Sequence, residues 1–299
     1  MTEQFHELYG PWAMVAGGSE GLGGAWSEAL AKRGLNVVMV ARRAERLEAH
    51  AETLRQRYGV QIRTQVLDLS DGEAHSKLSS MAAEVDVGLV IYNAALSPSG
   101  SFAEMDPSRI AMALATNVVT PTLTLRAVLP LLARRERSGV VIVSSLAGFA
   151  GSAGLATYGA TKAYLRMLAE ALWEESRGSG IDVLATAPGA VSTPGLLGRS
   201  ARSIPGQLSP ADIVESSLAR LGKSPLHVPG WTNLVAATLL SRILPRPAAA
   251  ALMRRSSSGI TSTTGSGRGD EQSPPPGPIS DPLSTPLSPL KQSSSRAIG

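Results

Sequence analysis

Tyr158 and Lys162 stand four residues apart, and Ser145 precedes the tyrosine by thirteen. On a helix, positions i and i+4 share a face, with Cβ atoms about 5–6 Å apart. A phenol titrates near pH 10 in water, which makes it a poor proton donor or acceptor at neutrality. A neighbouring ammonium favours the phenolate, and lowering the pKa by about 2–3 units corresponds to roughly 3–4 kcal/mol of differential interaction. The pattern predicts a general acid–base, Tyr158, tuned by Lys162. Ser145 follows the apolar run 140–143, and a hydroxyl at a strand end is placed to hold a substrate oxygen against the same phenol. The competing reading is two exposed residues on a solvated helix face. A cofactor site upstream decides between them.

The elements that would position such a site begin with Trp12-Ala13-Met14-Val15-Ala16, a short apolar run that reads as a buried strand. Gly17-Gly18-Ser19-Glu20-Gly21-Leu22-Gly23 follows at once. Then Leu22, Ala25, Trp26, Ala29 and Leu30 recur on one helical face, and Gly34 stands where a left-handed C′ residue would end that helix. Glycines in a strand–turn–helix unit let the backbone approach a pyrophosphate, whose charge the helix N-terminus favours. A second strand, 36–41, ends in Ala41 and then Arg42-Arg43. An acidic residue at such a tip binds the ribose 2′-hydroxyl of NAD, whereas arginine accommodates the 2′-phosphate of NADP. Arg42, assisted by Arg43, therefore favours NADP(H), with NAD(H) the second choice. Glu20 inside the glycine turn argues the other way, and surface arginines opening a helix remain the plain alternative.

Further along, a helix is expected over 44–58 with its stop at Gly59, and an alternating strand near a sheet edge over 60–66. A helix over about 71–84 and a buried strand over 87–92 come next, then Asn93-Ala94-Ala95. The stretch 107–137 reads as helical, kinked or broken at Pro121 and Pro130 because each lacks a backbone donor. A strand at 140–144 and a helix reaching about 177 flank the catalytic residues. The strand 181–186 closes in Ala187-Pro188-Gly189-Ala190-Val191-Ser192-Thr193. Ser209 and Pro210 look like N-cap and N1 of a helix, and 226–229 like a short last strand. Strands alternating with helices make an α/β protein built on a parallel sheet.

Four of these strand ends together resemble the short-chain dehydrogenase/reductase family. Ser145…Tyr158-x-x-x-Lys162 matches its active site. Gly17-x-x-x-Gly21-x-Gly23 matches its glycine turn, with Ala16 in place of a threonine. Asn93-Ala94-Ala95 approximates N-N-A-G, and Pro188-Gly189-x-Val191-x-Thr193 matches P-G-x-V-x-T. The match is strong over about 10–195 and loose to 230. The resemblance implies a Rossmann-type doubly wound sheet of order 3-2-1-4-5-6-7 and hydride transfer between a nicotinamide and a carbonyl or secondary alcohol. It assigns Gly17, Ser19, Gly21, Leu22 and Gly23 to the cofactor turn, and Asp68 and Leu69 to the adenine. Asn93 and Ala94 run along the cofactor, and Lys162 holds the nicotinamide ribose as well as tuning Tyr158. Pro188, Gly189, Val191 and Thr193 lie at the nicotinamide, with the Val191 backbone and the Thr193 hydroxyl on its carboxamide. Asn117 holds a water that links the lysine to solvent. Tyr92 and Ala95 depart from the pattern, and the extra methyl of Ala95 predicts a local adjustment. From the residues alone, Asp68 is equally a helix cap before Asp71, and Asn117 a helix-interior polar group satisfied locally. Rival functions are an NAD-linked alcohol dehydrogenase and a non-catalytic cofactor-binding scaffold. The complete set Asn117, Ser145, Tyr158 and Lys162 speaks against the scaffold.

Composition bounds the remaining choices. The chain has 299 residues, 43% hydrophobic and 17% charged, ample for one sizeable core. A single catalytic domain is expected over 1–254, with a substrate lid at about 195–208 and an apolar helical segment at 231–253. Residues 255–299 hold 12 Ser, 7 Pro and 6 Gly and are expected to be a disordered tail. A net charge of +4 with scattered basic residues and only 4% aromatics disfavours nucleic-acid binding. The absence of cysteine excludes disulfides and thiolate nucleophiles. His6, His50, His75 and His227 form no metal-binding spacing. No secretory signal is visible at the start, so a cytoplasmic location is expected. Arg242, Pro245, Arg246 and Pro247 interrupt 231–253 too closely for a membrane-spanning helix. That segment packs on the core or a partner subunit, or makes peripheral contact with lipid or a greasy substrate. The expected partners are a small carbonyl or alcohol and, by the resemblance, a second copy in a homodimer or homotetramer.

Overall fold

Short runs rich in Val, Ile, Leu, Met and Ala form the inner strands of the set β1 (Trp12–Ala16), β2 (Asn36–Ala41), β3 (Ile62–Val66), β4 (Val87–Tyr92), β5 (Ser138–Val143), β6 (Ile181–Thr186) and β7 (Leu226–His227). The computed structural model describes residues 2–192 and 206–261. Within them the strands make one parallel sheet of order β3-β2-β1-β4-β5-β6-β7, as the resemblance implied. The central strands β1, β4 and β5 are buried along their whole length, as parallel strands covered on both faces must be. The edge strand β3 departs from the expected alternation: Ile62 is buried, but Val66 is 51% exposed, because the edge of the sheet is left partly uncovered there.

Period-2 alternation sends Ala13 and Val15 to one face and Met14 and Ala16 to the other. The first face is covered by α1 (Thr2–Tyr9), α2 (Gly21–Ala31), α3 (Ala44–Tyr58) and, late in the chain, a helix over Pro210–Leu218. The second is covered by α4 (Ala74–Glu84), a helix over Thr120–Leu132 and another over Ala156–Glu175. In chain order, α5 is Pro107–Leu114, α6 Thr120–Leu132, α7 Ala156–Glu175, α8 Pro210–Leu218, α9 Trp231–Thr238 and α10 Arg246–Thr261. Gly59 ends α3 in a left-handed conformation, and Ser209 caps α8 by accepting the Asp212 N–H at 3.1 Å.

Three elements differ from expectation. The stretch 107–137 is not broken at its prolines. Between α5 and α6 it passes through one π turn, 115–119, and stays helical. Pro121 removes the donor that α-geometry would aim at the Asn117 carbonyl, and the wider turn absorbs that loss. Pro130 lies near the C-terminus of α6, and that helix stops at Leu132 rather than 137. The short helix α1 had no sequence signal. Its Tyr9 is buried, and the hydroxyl donates to Asp182 Oδ2 at 2.5 Å. At the other end, α10 runs to Thr261, past the compositional change at 254. The alanines of its first two turns are strong helix formers and carry the helix into the serines. A third cluster, including Phe149, Val228, Ala237, Leu240 and Ala249, packs α9 and α10 onto the loop after β5.

Candidate active site

The tip of β1 is a cradle made of backbone. Gly17 has φ +83°, and a Cβ there would lie 2.8 Å from the Ala94 backbone. A Cβ on Gly23 would fall 1.6 Å from the Gly17 carbonyl oxygen, so no side chain fits at that position in the first turn of α2. The α2 N-terminus has no side-chain cap, leaving its first amides for an anion. The tip of β4 braces this turn. The Asn93 and Ala94 amides donate to Ala16 O at 3.0 and 2.9 Å, and Asn93 Nδ2 donates to Gly17 O at 3.0 Å. A closely approached backbone over a helix N-terminus fits the pyrophosphate of a dinucleotide.

At the tips of β2 and β3 the charges pair unequally. Glu20 takes both Arg43 and, at 2.6 Å, Arg46. Arg42 has only a loose partner, Asp68 at 3.9 Å, and its side chain is 55% exposed. Of the three guanidiniums it is the one most free to meet a further anion. Asp68 is not a helix cap, because α4 begins only at Ala74 with Glu73 before it, and its carboxylate instead closes a turn. Its Oδ1 accepts from the Ser70 amide and hydroxyl at 2.8 and 2.7 Å, while the residue lines the cleft with Leu69.

The opposite end is built from side chains. Lys162 is buried, and its Nζ donates to Val143 O at 2.7 Å, lying 5.7 Å from the centroid of the Tyr158 ring. Ser144 Oγ donates to Lys162 O at 2.7 Å, tying α7 to the end of β5. Burial pushes the lysine down to about 7. Burial also raises the Tyr158 phenol above its ordinary value, and its hydrogen bond with Ser145 works in the opposite sense. This corrects the expected lowering by Lys162: the same desolvation weakens the ammonium, and the nearest group it engages is a carbonyl rather than the phenol. Ser145 also caps the short turn 146–148, accepting the Ala147 N–H at 3.2 Å.

Asn117, in the π turn, is fully buried. Its Oδ1 accepts the Leu96 N–H and its Nδ2 donates to Leu96 O, both at 2.8 Å, with a second donation to Thr161 Oγ1 at 3.1 Å. The partners lie 21 and 44 residues away, so local satisfaction is not what holds it. Both amide protons are committed to protein, which leaves none to donate to a lysine-linked water.

The loop after β6 closes the cleft. Pro188 O accepts the Leu146 N–H at 3.0 Å. Asn233 on α9, which sequence reasoning passed over, donates to Gly206 O and Pro229 O, both at 2.9 Å. Its Oδ1 packs so tightly on Gly189 that a Cβ there would approach to 2.6 Å. The signal available was a lone amide within an apolar segment. Val191 forms a parallel bridge with Leu208. Thr193 and most of the expected lid fall outside the described residues.

The cleft between these ends has a volume of about 670 Å³. Its wall brings together Gly17, Ser19, Leu22, Arg42, Asp68 and Leu69 with Asn93, Ala94, Ser145, Tyr158, Lys162, Pro188, Gly189 and Val191. Gly21, Gly23 and Asn117 are not part of that wall, Glu20 of the glycine turn is, and Leu96, Ser97 and Thr116 join it unforeseen. The cleft lies outside the carboxyl ends of the strands, on both sides of the β1–β4 junction where the winding reverses.

The short chain dehydrogenase family profile matches residues 11–201. The chain is 31% identical over 233 residues to a 7beta-hydroxysteroid dehydrogenase of Collinsella aerofaciens, covering 76% of this chain and 89% of that one. A solved structure from work on 7beta-hydroxysteroid dehydrogenase stereoselectivity is similar with a TM-score of 0.79 at 29% identity, over 83% of this chain and 98% of that chain. A short-chain dehydrogenase from Sphingobium yanoikuyae in complex with NADPH gives a TM-score of 0.66 at 30% identity, over 73% and 87% of the two chains. Matched in fold, in strand-end motifs and in most of its length, the chain belongs to the short-chain dehydrogenase family, enzymes acting on CH–OH groups.

Proposed function

We propose that this enzyme uses NADP(H) to interconvert a ketone and a secondary alcohol on a bulky, largely apolar small molecule, with a hydroxysteroid as the first candidate. The observation that carries the reading is a single cleft with the backbone cradle at one end and Ser145, Tyr158 and Lys162 at the other. The steroid preference rests on the 7beta-hydroxysteroid dehydrogenase relatives and on the small-residue loop 147–156 beside the tyrosine.

When bound, the dinucleotide supplies or accepts the hydride. The uncapped α2 terminus and the glycine turn hold its pyrophosphate, and Arg42 meets the 2′-phosphate. Asp68 and Leu69 face the adenine, and Pro188, Gly189 and Val191, with Thr193, border the nicotinamide. Ser145 donates to the substrate oxygen. Tyr158 gives its proton to that oxygen in reduction and takes one in oxidation. A phenol kept protonated by burial suits the first direction. In the second it needs a cation nearby, and Lys162, poised near neutrality, becomes that cation once the anionic cofactor favours its charged form. Asn117 fixes the 96–97 wall and, through Thr161, the α7 turn that bears both residues.

An NAD-linked enzyme is the second reading, favoured by the Glu20–Arg43 pair and by Asp68 beside Arg42. Comparing NADPH and NADH affinities separates the two. A homodimer through the exposed Leu114, Val119, Leu123, Tyr164 and Met167 of the α5–α7 flank is part of the proposal.

The test is Tyr158→Phe assayed with NADPH and a panel of ketosteroids. Turnover should fall by roughly 10²–10⁴-fold while NADPH affinity holds. Retained turnover would move the proton transfer to another group.

A further inference from the structure

The outer face of α9 and of the π turn that follows it, Leu239–Ile243, carries open apolar side chains. Trp231 is 78% exposed, Leu234 53%, Val235 50% and Ile243 63%. The inner face is spoken for: Ala237 and Leu240 are buried against the loop after β5, and Asn233 against Gly189, Gly206 and Pro229. Tryptophan at such exposure is costly in water unless something covers it.

Charge points to what covers it. From 216 to 269 the chain has seven Lys or Arg residues and no Asp or Glu. The whole chain has 28 basic and 24 acidic residues, so outside this stretch 21 basic face 24 acidic. The net positive charge of the protein therefore originates here, and Arg242 and Arg246 flank the exposed Ile243 on the same segment. A second copy docking face to face would bring two such stretches together with no Asp or Glu in either to pair their cations, and the α5–α7 flank offers it a better site.

We infer that the α9 face docks on an anionic lipid surface. Trp231, Leu234, Val235 and Ile243 enter the headgroup boundary, and the arginines beside them meet lipid phosphates and carboxylates. Docking there sets the membrane next to the substrate end of the cleft, because α9 and α10 pack on Ala147, Phe149 and Tyr158, and Arg246 donates to Phe149 O at 3.4 Å. An apolar substrate dissolved in lipid would then enter beside the catalytic tyrosine.

Co-sedimentation of the full chain with vesicles of phosphatidylcholine, alone or mixed with phosphatidylserine, tests this. The expected result is pelleting only with phosphatidylserine, reduced at high salt and accompanied by a blue shift of tryptophan emission. The pair Trp231→Ser with Ile243→Ser should abolish pelleting, and Arg242→Gln should weaken it about five-fold. Met167→Ser, on the other flank, should leave it unchanged. Circular dichroism and NADPH binding confirm that each variant is folded. Absence of phosphatidylserine-dependent pelleting overturns the inference, as does pelleting indifferent to the Trp231 and Ile243 changes. A loss of oligomer mass in that double variant, without loss of lipid binding, assigns the face to a second copy instead. None of these readouts requires turnover, so the outcome is separate from that of the reductase assignment.

Discussion

At the β1–β2 end of the cleft the wall is backbone, and its residues are chosen for what they lack. Gly17 and Gly23 leave room for each other and for Ala94, and the charged groups there are exposed and paired with one another at the surface. At the β5–β6 end the wall is side chain, and its residues are held against their own preferences. Lys162 is buried with a carbonyl for company, and Tyr158 is desolvated beside it. The first end is stable because it fits. The second is reactive because a charge is kept where solvation would not put it. Disturbing the fit at the first end should therefore cost stability, whereas removing the buried amine at the second should add to it.

The sharpest break is Gly23→Ala. Its methyl has no place beside the Gly17 oxygen, so backbone must move, at a cost of about 3 kcal/mol or more. Urea unfolding should show that loss, with NADPH affinity falling in parallel. An unchanged midpoint would mean the turn is far softer than its geometry implies.

Lys162→Met should behave in reverse. The lysine's folded pKa, about 7, lies below its unfolded value of 10.5. The unfolded chain therefore binds more protons between those values, and wild-type stability gains from this group as pH rises through that window. Below pH 7 the full cost of burying the ammonium is present. The variant should be more stable than wild type by about 2 kcal/mol at pH 6, after allowing for the Val143 carbonyl left without its donor. The difference should shrink toward pH 10 while turnover is lost throughout. Equal stability at both pH values would show that the lysine is not strained.

The mildest change is Arg42→Gln. An exposed guanidinium with a loose partner contributes little to folding, so stability should hold. The ratio of NADPH to NADH affinity should fall about ten-fold, equivalent to about 1.4 kcal/mol. No change in that ratio would shift 2′-phosphate recognition away from the β2 tip.

Local chemistry was legible in the sequence. The glycine turn, the arginines at the β2 tip, the Gly59 stop and the Ser209 cap are set by residues within a few positions of one another. The strand order followed from the family resemblance. What escaped was long-range. Lys162 is governed by a carbonyl 19 residues away, and Asn117 by Leu96 and Thr161, which no spacing rule connects. The Tyr158 shift came out with the opposite sign because the lysine's charge was taken for granted, whereas burial acts on both groups. Asn233 was hidden because its partners are backbone atoms of two separate loops.

The Val191–Leu208 bridge carries a consequence for how such an enzyme changes its substrate. The Ser192 amide donates to Leu208 O at 2.9 Å and the Leu208 amide to Ala190 O at 3.2 Å, so the loop after β6 is fastened to the entry of α8 backbone to backbone. These bonds use main-chain atoms alone, so a changed side chain at Val191 can reshape the cleft wall without unfastening it, and new specificity can be installed there at little cost to the sheet.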